Sequence, residues 1–598
     1  MSTTNINHGS LVTFSIKTNG KAISDTIEIL SIDVEKRINS IPTVKIIILD
    51  SSPSTSNFEV SSSNTFVPGV SITIEAGYDS VNQLIFKGIV TKQSIRITET
   101  VGSVLEVECR DETVKMAVGR KSITYSKKKD SDIINSIIGN YSGVSHNITA
   151  TTTEYPEQVQ YYTSDWDFIL TRAEANGMIV TALNGNISVF PPSTDTTAVL
   201  EVKYGDNLLE FNAALDAVTQ IASAEASAWD YVNQEMISEL VTNDIIGSGN
   251  LSTEKLSEVV GLTTYELQTS ASLTSSELAD WSKNTLAKST YSKIQGEVKF
   301  QGTNLADPGK YITLGGLGDR FNGDHIISSV HHVIAGGSWT TEASFGISPD
   351  WLIKKPEVLA PPASGLVPRV QGLINGTVKQ INEDPNNQLR ILVDLPLLDT
   401  NGEGIWARLT NFYSTSGAGV FFMPEVGDEV IVGFLNDNPK YPIILGSLYS
   451  NPSNKPFEGL NPNKKNSKKA IVSKSGITLE FDDENKELTL NTPAKNQIVC
   501  SDKDGQIKIK DQNENSIAMS SSGILIKSAK NITFEADQQV VIKGQQGVSI
   551  ESSGGDVQTK GININTTAQR EFSAEGSQTA QVQARGELTL KGAMVMIN

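Results

Sequence analysis

The chain is poor in the residues that most often carry chemistry or covalent cross-links. It has two cysteines, Cys109 and Cys500, in 598 residues. They show neither a disulfide framework nor metal-type spacing. The five histidines (His8, His146, His325, His331 and His332) all fall in the first 332 residues. Aromatics make up 6% of the chain, so a single large aromatic-rich core is not expected. No run approaches the ~20 apolar residues needed to cross a bilayer. The opening stretch, MSTTNINHGSLVTF, has no basic or apolar signal region, so export by the general secretory route is not expected. Positive charge is scarce as well. The net charge is −19, which argues against a nucleic-acid partner, because phosphate recognition needs clustered Lys and Arg.

What is present is polar β sequence, enough for about three to five domains. Residues 1–115 read as strands: Leu11–Ile16, Ile27–Val34, Thr43–Leu49, Ser71–Ala76, Gln83–Val90 and Val104–Cys109 are β-branched and partly alternating. Asp130–Gly139 predicts a short helix with Ile133, Ile134, Ile137 and Ile138 on one face. Ser164 is a natural N-cap for a second helix, ended by Gly177. Residues 205–295 predict a helical segment, with Ala-, Ser- and Glu-rich helices at Asn212–Leu240 and Ser275–Ser292 around a polar loop. Strands return at 294–348. Lys354–Ala363 reads as a proline-stiffened spacer.

Residues 371–450 predict a small all-β unit of OB type, with strands at Gly372–Gln380, Gln388–Leu395, Ile405–Arg408, Val420–Met423, Glu429–Leu435 and Pro442–Leu448. In the last part of it, Val430, Val432 and Phe434 alternate onto one face. A second linker covers 451–470. From Ser473 the chain becomes a run of very short alternating strands with glycines at irregular spacing. Such strands are too short to bury their own apolar side chains. The expectation is a β-solenoid, or a β-helix intertwined with other copies.

Four stretches, in this order, resemble the VgrG family, the valine–glycine repeat spikes of type VI secretion and related contractile injection systems, which resemble a phage tail hub and spike fused into one chain. They are FVPGVSITIEAGY…FKGIV (66–90), YTSDWDFILTRAEANGM (162–178), PEVGDEVIVGF…YPIILGSLY (424–449) and the terminal strand repeat. In the second, Glu174 stands only two residues after Arg172, closer than in the family pattern. The resemblance implies a mainly β, multidomain fold. It would comprise a hub-like domain of two β-barrel subdomains with inserted helices (1–353), a linker (354–370), an OB-fold (371–450), a linker (451–470) and an intertwined trimeric β-helix needle (471–598). It implies a homotrimer, with inner tube and baseplate proteins, a conical PAAR-type tip protein and effector cargo as partners. It also implies assembly in a bacterial cytoplasm, release outside the cell and a target membrane pierced mechanically. No lysozyme domain fits between OB-fold and needle, and no histidine is available for an iron-bearing tip.

Candidate chemistry is thin. His325, His331 and His332 form the one histidine cluster; a separation of seven on a strand puts His325 and His332 on opposite faces, which suits structure better than a metal. Asp482–Glu484 and Asp502–Gly505 read as turns. Gly315–Arg320 and Gly119–Ser122 lack the residues of a phosphate loop. No catalytic set, cofactor site or metal site is expected, and the protein reads as a non-enzyme. Lys464, Lys465, Lys468 and Lys469 read as a solvated linker or as partners for acidic surfaces at the neck. Met594, Val595, Met596 and Ile597 are either a final buried rung or, from three copies, an apolar platform for the tip protein. The competing functions are a polysaccharide-cleaving β-solenoid and a receptor-binding adhesin.

Overall fold

The computed structural model describes residues 10–52, 57–99, 102–192, 197–450, 454–458 and 464–597. His8, Asn598 and parts of the second linker lie outside the described residues. The chain divides into two compact units, 1–447 and 448–598.

Strands dominate the first unit. Its largest sheet has 14 strands. The first six strands read from the sequence all form, as Val12–Thr18, Ile29–Arg37, Thr43–Ser52, Ser71–Tyr78, Val81–Thr98 and Gly102–Arg110. The two halves of the hub region share a sheet. The strand Gly323–Ala335 pairs with Ile29–Arg37 on one side and with Ser338–Phe345 on the other, so one sheet runs through both halves. Its 13 residues are long enough to serve two cores. One core gathers Ile32, Ile46, Ile74, Phe86 and Leu105; the other gathers Val298, Phe300, Ile312, Val330 and Phe345.

The helix α1 (Asp130–Ile138) buries Ile133, Ile134, Ile137 and Ile138 as its spacing requires. The helix α2 (Asp165–Ala175) starts at Ser164, whose hydroxyl accepts from the Asp167 amide at 3.0 Å. Two further helices follow, α3 (Thr253–Val260) and α4 (Ser275–Tyr291). Thr274 and Glu277 close a capping box at the start of α4.

The helix expected over Asn212–Leu240 is absent. That stretch holds the strands Leu208–Leu215, Ser223–Asp230 and Glu235–Thr242. The reason is periodicity: Ala224, Ala226 and Ala228 are all buried, every second residue. Ala226 and Ala228 share a small core with Leu278 of α4, where small side chains let sheet and helix approach closely. Packing at period two overrode alanine's helix preference.

The five strands Ile374–Gln380, Ile391–Asp394, Ile405–Leu409, Pro442–Ser447 and Glu429–Phe434 close into a barrel. Val430 and Val432 are fully buried in its core with Val393 and Ile444. The strand expected at Val420–Met423 does not form. Pairing stops at Ala418–Gly419, and Phe421 and Phe422 lie exposed. The spacer before the barrel is pinned to the first unit. Arg120 donates to the carbonyls of Leu359 (2.8 Å) and Glu357 (2.7 Å), and Thr163 Oγ1 donates to that of Val358 (3.0 Å).

Candidate assembly interface

The second unit opens with seven strands of five residues each, joined in sequence order as an antiparallel meander from Lys468–Val472 to Gly523–Lys527. Its register sorts the side chains into columns. Ile471, Leu479, Leu490, Ile498, Ile509, Ile517 and Ile526 lie opposite one another, strand after strand. Phe481, Leu488, Cys500, Ile507, Met519 and Ile524 form the second column. In every strand these are the second and fourth residues, so both columns occupy one face. The residue between them is on the other face: Glu480, Thr489 and Lys508 are examples.

This apolar face is open in the single chain. Leu488, Ile498, Ile507 and Ile509 are 39–44% exposed. A groove of about 530 Å³ follows the first column, between Leu490 and Ile532. At ~25 cal/mol per Å² of apolar area, an open face of this length is a strong drive toward association.

Beyond Lys527 no residue through 597 pairs with another strand of the described chain. The backbone instead bends at 529–530, 537–538 and 545–546, then at 569–570, 577–578 and 585–586, eight residues apart. Two and four residues after each bend stand Ile532 and Phe534, Val540 and Ile542, Val548 and Ile550, Phe572 and Ala574, Ala580 and Val582, Leu588 and Leu590. The next residue on that side is always small: Ala536, Gly544, Ser552, Gly576, Ala584 and Gly592. One slip interrupts the repeat. The bend at 553–555 is a residue longer and the next falls at 562. The slip puts Val557 and Thr559 on the apolar side and leaves Ile562 wholly exposed. The glycines alone look irregular; the small residue recurring every eight positions is the signal that would have revealed the period.

The sequence candidates fall as follows. Met594, Val595, Met596 and Ile597 are all exposed in the single chain, by 52–86%. His325 and His332 are buried in different surroundings. His325 packs on Phe345 and His332 sits by Trp339, while His331 lies on the surface 3.7 Å from Asp33. Among the described residues no three metal-ligating side chains converge. Asp482 caps its own turn through the amides of Glu484 and Asn485. Gly505 closes the turn from Asp502 with φ +59°. Gly315–Arg320 connects two antiparallel strands, not a strand and a helix. In the lysine cluster, Lys465 meets Glu484 at 2.6 Å, Lys468 meets Glu480 at 2.7 Å and Lys469 meets Asp483, so three lysines pair with acids of the meander.

The 162–178 motif proves to be a structural staple. The Asp165 carboxylate accepts from Lys121 (2.6 Å), Tyr141 (2.6 Å) and Gln160 (2.9 Å). Burial alone would raise its pKa, but these hydrogen bonds outweigh burial and hold it below the usual carboxylate range. Glu174 accepts from Lys288 of α4 and from the Leu352 amide, each at 2.7 Å. Glu174 and Lys288 also line a surface cavity of about 670 Å³, together with Arg37, Asp350 and Lys355.

Three family models match the chain. Residues 8–336, more than half of it, match the Alg8 N-terminal domain. Residues 374–449 match the type VI secretion system/phage-baseplate injector OB domain, and residues 487–552 the phage baseplate V C-terminal trimerisation domain. No curated protein matches. Among solved structures the chain is similar to the 43 kDa tail protein of prophage MuSo2 from Shewanella oneidensis, at 11% identity and TM-score 0.44, over 56% of this chain and 98% of that one. It is similar to a tail protein from Neisseria meningitidis MC58, at 11% identity and TM-score 0.43, over 58% and 99%. It is similar to a chain of the Francisella PdpA–VgrG complex, at 10% identity and TM-score 0.38, over 88% and 80%. The chain belongs to the family of the Alg8 N-terminal domain, and it carries a type VI secretion system/phage-baseplate injector OB domain and a phage baseplate V C-terminal trimerisation domain.

Proposed function

We propose that this protein is the central spike and baseplate hub of a contractile injection machine, that it works as a homotrimer, and that its task is mechanical, with no enzymatic step. The observation that carries the reading is the open, two-column apolar face of the C-terminal unit. It continues as a coil with an eight-residue repeat that has no pairing partner among the described residues. Three copies wound together would supply the missing backbone partners and cover the columns. The trimerisation-domain match over 487–552 supports three copies. Such a needle transmits force along its axis, because every rung is paired to its neighbours.

In this reading the first unit closes the inner tube and docks on the baseplate. The particle assembles in the cytoplasm and is delivered or released outside the cell. Cargo effectors ride on the needle or its cap. The exposed Met594–Ile597 ends of three copies present an apolar platform for a PAAR-type tip protein. No helix of the described chain is long and apolar enough to cross a membrane, so piercing would fall to the needle.

Native mass spectrometry of the full chain tests the core of this reading. The expected result is a trimer that resists mild detergent; a monomer would overturn it. Deleting 592–598 tests the tip. The truncated trimer is expected to form but to lose the tip protein in a pull-down, and undiminished retention would sink the platform.

A further inference from the structure

Phe412, Tyr413, Phe421 and Phe422 are four exposed aromatics within 11 residues of the barrel domain, in a chain with only 6% aromatics. They flank a two-rung hairpin in which Ser414–Thr415 pairs with Ala418–Gly419. The Val420 amide donates to the Tyr413 carbonyl at 2.9 Å, which continues the hairpin register and brings Phe412 opposite Phe421 at its base. Phe412 is 88% exposed and Phe421 66%.

A second apolar surface lies on the outside of the same barrel. The register places Gly433 opposite Ile443, one step beyond the Ile374–Val432 pair that brings Leu373 alongside. Leu373 lies across Gly433: a Cβ there would stand 3.2 Å from Leu373 Cδ2, with Ile443 and Leu445 each 3.9 Å away. Val432 and Ile444 point into the core, so their neighbours point out. Leu373 and Leu445 are both about half exposed.

One small domain thus carries a projecting aromatic knob and a separate apolar face, and neither is covered by the described residues. The barrel's last strand ends at Ser447 and the apolar meander begins at Lys468. Roughly 20 connecting residues hold linked domains at about millimolar effective concentration. We propose that the aromatic hairpin of one copy packs on the Leu373–Ile443–Leu445 face of the next copy's barrel. Knob and face differ, so the contact is heterologous, and threefold symmetry closes it into a ring. The proposal rests on the trimeric reading above and adds a second interface to it.

The test places a photo-reactive phenylalanine analogue at Phe412 in the full chain, in trimers mixed from light and heavy isotope-labelled copies. Native mass is read first, so that a sample without trimers counts against the trimeric reading and not against this contact. In trimers, cross-linked peptides joining 412 of one label to 373 or 443–445 of the other are expected. Cross-links confined to one label, or joining only a protein other than this chain, would overturn the proposal. As a second readout, Phe412→Ala with Phe421→Ala and Phe422→Ala is expected to raise amide exchange at 443–446 at least tenfold in particles that remain trimers. Unchanged exchange there would also overturn it.

Discussion

Arg172 grips Asp130 with two hydrogen bonds, Nε to Oδ1 at 2.7 Å and Nη2 to Oδ2 at 2.8 Å, locking α2 to the first turn of α1. The Asp130 carboxylate is fully buried and the guanidinium nearly so. Removing one partner of such a pair leaves an uncompensated charge in the interior. Arg172→Met is therefore expected to cost about 3–5 kcal/mol. Chemical unfolding of the first unit measures this; a loss below about 1 kcal/mol would refute the account.

Gly177 ends α2 in the left-handed region, at φ +67°. A Cβ there would stand 2.2 Å from Asn284 Oδ1, and Asn284 Nδ2 donates to the Ala175 carbonyl at 2.6 Å. Gly177→Ala carries backbone strain of roughly 1–2 kcal/mol and also displaces this tie between α2 and α4. A lower melting temperature is expected, and Asn284→Ala in the same chain should recover part of the loss by removing the clash.

His332 is fully buried between strands, with Nδ1 2.9 Å from Thr341 Oγ1 and no partner for Nε2. Burial pushes its pKa well down, helped by the nearby charges of Lys36 and His331. The folded state thus prefers the neutral ring, and the unfolded chain binds the proton more readily. Its contribution to stability is complete above the ordinary histidine pKa near 6.5 and is lost as pH falls below that value. His325 is lowered in the same direction, mainly by burial. Melting temperature should fall from pH 7 to pH 5, and His332→Asn should flatten that slope. An unchanged slope would remove His332 from the cause.

The two cysteines report on the needle. Cys109 is fully buried and its thiol is pushed up to about 12, chiefly by burial, so it should not react in the native protein. Cys500 lies in an apolar column between Leu488 and Ile507, half-buried in the single chain. Trimer formation should cover it. A chromogenic disulfide is expected to label neither thiol in native trimers and both after denaturation; one fast thiol in native trimers would mean that the column stays open. Ile509→Asp, in the other column, should abolish the trimer by burying a carboxylate from each copy, while Lys508→Asp on the opposite face should leave it intact.

Much of this protein is legible without coordinates. Period-two alternation marks the strands of 12–110 and the barrel core at Val430 and Val432, because one buried face writes itself into every second residue. Ser164 and Gly177 mark the ends of α2, since capping is local chemistry. The short strands after Ser473 show by their length alone that the tail needs partners. Only the tertiary structure decided the rest. Alanines at 224, 226 and 228 read as helix until α4 is seen to pack on them. The single sheet through both hub halves depends on Gly323–Ala335 finding a partner nearly 300 residues earlier. Lys288 and Glu174, 114 residues apart, meet at 2.7 Å because the fold closes there. Local patterns report which way a side chain must face. Which face it meets is set by long-range pairing, where the gain comes from burying two distant surfaces together and no short stretch of sequence holds both.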